Sequence, residues 1–202
     1  VENGIAYLSR GLCILAMNYG CDVGDAHLQA MQQVIVHSQY LYAFASERKE
    51  VEKAFDYVVY ALARAAEAVD DDGGSHIYRV GEYCGILAER MGMKEDFIHA
   101  VSVQASLHDV GKIYTPPSIL KKTEALTADE WVEMKKHTLW GAKIIGNHPQ
   151  LRIAQSIALN HHEKWDGSGY PRGLRGEAIP IEARIAALAD QYDALRMARS
   201  HK

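Results

Sequence analysis

The segment Ala100-Val101-Ser102-Val103-Gln104-Ala105-Ser106-Leu107-His108-Asp109-Val110-Gly111-Lys112 opens as an apolar helical run and closes on a histidine, an aspartate and a glycine. Neighbours on a helix point about 100° apart, so His108 and Asp109 reach one ion only at a helix end or with the ion between them. Gly111 offers that end. Capping accounts for a lone His-Asp pair equally well, so its weight comes from its surroundings.

Further along, Ile153 to Leu159 forms another apolar helix, which stops at His161-His162-Glu163. Two adjacent imidazoles closing a buried helix are costly without a partner, and metal ligation is the natural compensation. The loop that follows, Trp165-Asp166-Gly167-Ser168-Gly169-Tyr170-Pro171-Arg172-Gly173-Leu174-Arg175-Gly176, belongs to an irregular stretch over 164–180. Its glycines open backbone turns closed to other residues, and Pro171 stiffens the path. A loop this long in a helical domain is more often functional than filler. Tyr170 and the two arginines suit stacking on a base and contact with phosphate, the alternative being a solvated connector.

Around these segments the pattern predicts helices over 76–91, 95–109, 127–146, 150–163 and 181–198. All five prolines lie beyond residue 115, glycines punctuate the first half, and no strand-like alternation persists, so the expected class is all-α. Residues 1–46 read as two or three weakly amphipathic helices with a turn near Gly20 to Asp25, a segment of unassigned role that suits a sensory or regulatory remnant. Its His27 and His37 lack acidic or cysteine companions at ligand spacing. Residues 47–69 read as a linker helix, in which Val51, Phe55, Val58, Leu62, Ala65 and Val69 make a heptad seam. That seam either pairs with its twin in a parallel dimer or packs on the chain's own bundle. Residues 70–202 form the remaining domain.

Composition narrows the classes. A formal charge of −4 argues against a nucleic-acid polymer as partner, though not against a small phosphate ligand beside metal ions. Three scattered cysteines (Cys13, Cys21, Cys84) suit a reducing, cytoplasmic setting. The longest early apolar run, Leu12 to Met17, is far short of a membrane span, and no signal peptide is expected.

His108-Asp109-Val110-Gly111-Lys112, His161 through Pro171, Ala183-Arg184-Ile185 and Ala189-Asp190 together resemble the signature series of the HD-GYP family, in order and spacing, from about Glu67 to Lys202. The resemblance implies an HD-type helical bundle and a bacterial, metal-dependent phosphodiesterase. Such an enzyme opens cyclic di-GMP to pGpG, and in a second cycle GMP, through a hydroxide bridging two metal ions. The ions it implies are iron or manganese first, with nickel or cobalt as alternatives. It also implies a ligand set of His76, His108, Asp109, His137, His161, His162 and Asp190, with Asp109 shared between ions. Asp72 stands where some members carry a glutamate for a third ion, one methylene shorter here, and it equally suits capping the helix near His76. Lys112, Arg199 and Lys202 match substrate-phosphate contacts, although Ser200-His201 replaces the usual Pro-Tyr between the last two. Tyr170 would contact guanine or shape the loop. Similar domains continue past the position of Lys202, so a truncated domain is expected. A homodimer through the linker helix and diguanylate cyclase partners at the loop complete the expectation. The rivals are an HD-type hydrolase for another nucleotide such as cyclic GMP-AMP, and a catalytically weak signalling module.

Overall fold

The computed structural model describes residues 4–9, 12–17, 24–67 and 75–196. The chain divides into two compact units, Val1–Ala54 and Phe55–Lys202.

The first unit departs from the expected two or three helices. It holds an antiparallel hairpin of β1 (Gly4–Ser9) and β2 (Leu12–Met17), with Gly4 opposite Met17 and Ser9 opposite Leu12. Short apolar runs are ambiguous between helix and strand, and here Ile5, Tyr7 and Ile14 favour the pleated form. In sequence only Arg10-Gly11 separates the two runs, a spacing that suits a tight hairpin connection. The helix described in this unit is the start of α1 (Asp25–Glu67), which runs without a break past residues 46 and 47.

Among the described residues the regular elements of the second unit are all helices, in keeping with the all-α expectation. It comprises the end of α1, then α2 (Ser75–Arg90), α3 (Glu95–Gln104), α4 (Pro117–Leu120), α5 (Ala128–Lys135), α6 (His137–Ile145), α7 (Arg152–Asn160) and α8 (Ile181–Arg196). Three predicted helices are shorter than expected, the one over 150–163 being α-helical only over Arg152–Asn160. The one over 95–109 leaves the α form at Gln104 and continues as 3-10 turns at Ala105–Leu107 and Val110–Tyr114. The one over 127–146 is interrupted at Lys136. Thr127 starts α5 with a capping box, its hydroxyl accepting from Glu130 N while Glu130 accepts from Thr127 N, and His137 begins a new helix.

Of the heptad seam, Phe55 packs against the bundle's core, while Val58 and Leu62 stay outside it. Val59, Ala63 and Ala66 of α1 are buried with Ile77, Leu107 and Ala158, whereas Val58 is 63% exposed and Leu62 42%. The buried stripe is offset by one residue because α1 turns its small alanines, not Val58 and Leu62, toward its neighbours. Val69 lies outside the described residues. A second apolar cluster joins α2, α3, α7 and α8 through Val80, Val101, Ile157 and Ile185.

Close approach at two glycines frames the centre of this bundle. A Cβ on Gly111 would lie 1.9 Å from the His137 carbonyl oxygen, and one on Gly81 would lie 2.4 Å from that of Ser102. The Val110–Tyr114 turn therefore rests directly against α6, and α2 against α3. The end of α7, the starts of α2 and α6, the turn after α3 and the middle of α8 carry the candidate ligands.

Candidate metal centre

Two clusters of candidate ligands meet among these elements. Asp109, His137, His161 and His162 form one, with their ligand atoms all within 4.8 Å of each other; His76, His108 and Asp190 form the other under the same limit. Adjacent residues His108 and Asp109 thus fall into different clusters, which the helix-end geometry permits. Asp109 faces both. Its Oδ1 lies 3.3 Å from His137 Nε2 and 3.5 Å from His161 Nε2, and its Oδ2 lies 3.4 Å from His108 Nε2. In the second cluster Asp190 Oδ1 lies 3.4 Å from His76 Nε2.

The ring orientations follow from the local fold. Nδ1 of His108 donates to Ala105 O at 2.9 Å, that of His137 to Met134 O at 2.7 Å, and that of His161 to Ile157 O at 3.0 Å. A carbonyl oxygen only accepts, so these contacts place a proton on Nδ1 and turn each Nε2 inward. Each acceptor lies three or four residues earlier in the chain, so the helical backbone itself aims these histidines.

The electrostatics are those of a site short of cations. Asp109 Oδ1 and His108 Nε2 are buried without any hydrogen-bond partner, an expensive state that a divalent ion would relieve. Burial opposes the charge on Asp109, but the charges of Lys112 and His108 outweigh it and hold the carboxyl well below its usual range. Burial also opposes charge on His108, yet the Asp109 and Asp190 carboxylates raise it to about 9. Desolvation dominates for His137 and His162, lowering them to about 4 and about 2. Asp190 stays ionised, lowered to about 2 against the cost of burial by its hydrogen bond with His76 and the charge of His108. The mixed nitrogen and oxygen donor set fits a divalent transition metal.

Lys112 Nζ lies 2.7 Å from Asp109 Oδ2, at the edge of the site. Tyr170 stacks on His162, with centroids 4.7 Å apart and planes at 29°, and burial pushes its hydroxyl up. Asp72, Arg199 and Lys202 lie outside the described residues.

Sequence reasoning assigned no part to several residues that now have one. Glu163 is buried and accepts from Arg172 N at 2.7 Å and Leu174 N at 2.9 Å, holding the 164–180 loop by its backbone. Arg172, paired with Arg175 as a phosphate contact on sequence grounds, donates to Asn160 Oδ1 at 2.6 Å and so also fastens the loop. Lys135 Nζ lies 5.4 Å from the centre of the Tyr170 ring. Glu67 ends α1 with a buried, unpartnered Oε2, and burial raises its carboxyl. Asp193 is buried against His76. The signal for Asp193 was its spacing: three residues after Asp190 on one helix, it shares that residue's face.

The HD domain family matches residues 54–202. Among curated proteins, the chain is 46% identical over 147 residues to the 3'3'-cGAMP-specific phosphodiesterase 2 of Vibrio cholerae, covering 72% of this chain and 28% of that protein. It is 41% identical over 180 residues to a cyclic di-GMP phosphodiesterase of the same organism, covering 82% and 37%. It is 45% identical over 147 residues to the cyclic di-GMP phosphodiesterase of Thermotoga maritima, covering 72% and 40%. The chain therefore spans well under half the length of these relatives. A solved structure, Bd1817, a HDG"Y"P protein from Bdellovibrio bacteriovorus, shares the fold with a TM-score of 0.54 at 20% identity, over 71% of this chain and 53% of that one. Among the described residues no helix is long and apolar enough to cross a membrane. With this match over most of its length, the chain belongs to the HD domain family, is divalent-metal dependent as that family is, and carries the signature of its HD-GYP members.

Proposed function

We propose that this chain is the catalytic part of a metal-dependent phosphodiesterase that opens cyclic di-GMP to pGpG, and in a second cycle releases GMP. One observation carries the reading: a single carboxylate, Asp109, turns one oxygen to each of two ligand clusters. Such an arrangement would suit a pair of divalent ions. The proposed ligands are Asp109, His137, His161 and His162 for one ion, and His76, His108 and Asp190 with a shared Asp109 for the other. When bound, such ions supply Lewis acidity at the phosphate and a water acidic enough to act as nucleophile near neutral pH. Iron or manganese is the preferred assignment, and a third ion would draw on Asp72.

The protein's own groups do the rest. Nδ1–H bonds to the backbone keep three imidazoles aimed inward, so no reorganisation is needed as charge develops. Lys112 holds Asp109 ionised and sits where its ammonium meets a phosphate oxygen of bound substrate. Tyr170 lies flat on His162 and closes one wall, which suits contact with guanine, and Arg199 and Lys202 are assigned the substrate phosphates. A second reading, hydrolysis of cyclic GMP-AMP, is favoured by the 46% identity to the relative named for that substrate. The exposed seam of α1 supports a homodimer, the loop over 164–180 offers a face for a cyclase partner, and the cytoplasm suits both substrates.

The deciding experiment loads purified chain with manganese or iron and follows cyclic di-GMP and cyclic GMP-AMP by chromatography. We expect pGpG from the first at the higher rate. The His108→Ala, Asp109→Ala double variant should keep its helical circular dichroism while losing metal and turnover. Hydrolysis retained by that variant would overturn the assignment.

A further inference from the structure

Among the ligand-cluster imidazoles His76, His108, His137 and His161, whose Nδ1 is anchored, His76 stands apart. His108, His137 and His161 are aimed by carbonyls of their own local backbone. His76 is the second residue of α2, which begins at Ser75. Its Nδ1 bonds instead to Asp193 Oδ2 of α8, at 2.7 Å. Asp193 is only 2% exposed, and burying a carboxylate is costly unless it is fully paired. Arg79, one turn after His76, supplies the pairing: its Nε donates to Asp193 Oδ1 at 2.6 Å and its Nη2 to Oδ2 at 2.8 Å. Arg79 Nη1 then donates to Ser75 Oγ at 2.7 Å, tying the assembly to the first turn of α2.

We propose that Asp193 is a positioning residue, which holds His76 by its Nδ1–H within a clamp closed by Arg79, so that Nε2 is the nitrogen offered to the ion. An ionised carboxylate only accepts hydrogen bonds, so the contact fixes the proton on Nδ1. Asp190 and Asp193 lie three residues apart on one face of α8, and they address opposite nitrogens of the same ring: Asp190 Oδ1 is 3.4 Å from Nε2, Asp193 Oδ2 is 2.7 Å from Nδ1. One helix thereby supplies a ligand and aims its neighbour. Partners of this kind typically alter metal affinity about 10–100-fold when removed. The inference rests on the two-cluster metal reading above.

The test titrates zinc into the full chain against competing chelators and records nitrogen spectra of the labelled imidazoles in the zinc-loaded protein. We expect two zinc ions per chain and a hydrogen-bonded Nδ1–H on His76. Asp193→Ala should weaken one ion about 10–100-fold, leave the other unchanged, and abolish that Nδ1–H signal. Asp193→Asn keeps a neutral acceptor of the same shape and should fall between; it decides the matter if the alanine variant does not fold. Wild-type affinity for both ions in the folded variants, or an unaltered His76 spectrum, overturns the clamp alone. A wild-type chain that takes up no zinc removes the metal reading and the clamp with it.

Discussion

The histidines of the centre are divided in their response to protons. His137 and His162 are neutral by desolvation, lowered to about 4 and about 2, whereas His108 is raised to about 9 by its carboxylate neighbours. An unfolded histidine titrates near 6.5. As pH falls below about 6.5 the unfolded chain takes up protons that folded His137 and His162 refuse, so stability drops. His108 works the other way: its contribution is complete below about 6.5 and is lost as pH rises toward about 9. Chelator-treated protein should therefore melt lower at about pH 5 than at about pH 7, with a gentler decline toward about pH 9. Equal melting temperatures at the two lower values would contradict this account. Glu163 sets another expectation at this scale. Its two oxygens accept two backbone N–H groups of the loop, and an amide in Glu163→Gln turns a donor toward one of them. We expect a loss of about 1–3 kcal/mol and faster proteolysis within 164–180, read by chemical denaturation and limited digestion.

Among elements, the contact of the Val110–Tyr114 turn with α6 leaves least room for change. Gly111→Ala would place a methyl carbon 1.9 Å from the His137 carbonyl and 2.4 Å from Gly141 N, both main-chain atoms that cannot swing aside. The turn and α6 must then separate, moving Asp109 away from His137. Thermal melts should show a loss of several kcal/mol, beyond the range of about 0.5–3 kcal/mol usual for single substitutions, together with weaker metal uptake. Gly169→Ala tests the loop in the same way at Lys164 N, which a Cβ would meet at 2.3 Å.

At the scale of the molecule, α1 carries an apolar line that is exposed among the described residues. Val51 is 65% exposed, Val58 63% and Leu62 42%, at the spacing of a heptad repeat. The bundle uses the neighbouring stripe of Val59, Ala63 and Ala66, and the proposed homodimer would pair through the exposed seam. Val58→Glu with Leu62→Glu should convert a dimer to monomer in light scattering and leave the bundle folded. If the wild type is already monomeric at working concentration, pairing through this helix fails.

Much of the centre was legible because its residues occur in contiguous motifs. His108-Asp109, His161-His162 and the glycine-rich loop each combine costly residue types with a helix end, and such combinations show in one dimension. The family resemblance placed His76, His137 and Asp190 beside them. The class of the bundle was legible too, since no strand alternation runs through residues 75–196. Three features were decided only in three dimensions. Short apolar runs such as Gly4–Ser9 satisfy helix and strand alike, and pairing between β1 and β2 settled the choice. The covered side of α1 depended on which residues its neighbours could fit against, which favoured small alanines over a more regular apolar line. Asp193 and Arg79 are 114 positions apart, and only the crossing of α2 with α8 makes them partners. Local propensity and motif chemistry act within a few residues and can be read along the chain. Packing and paired burial of charge act between distant residues, and folding alone brings these together.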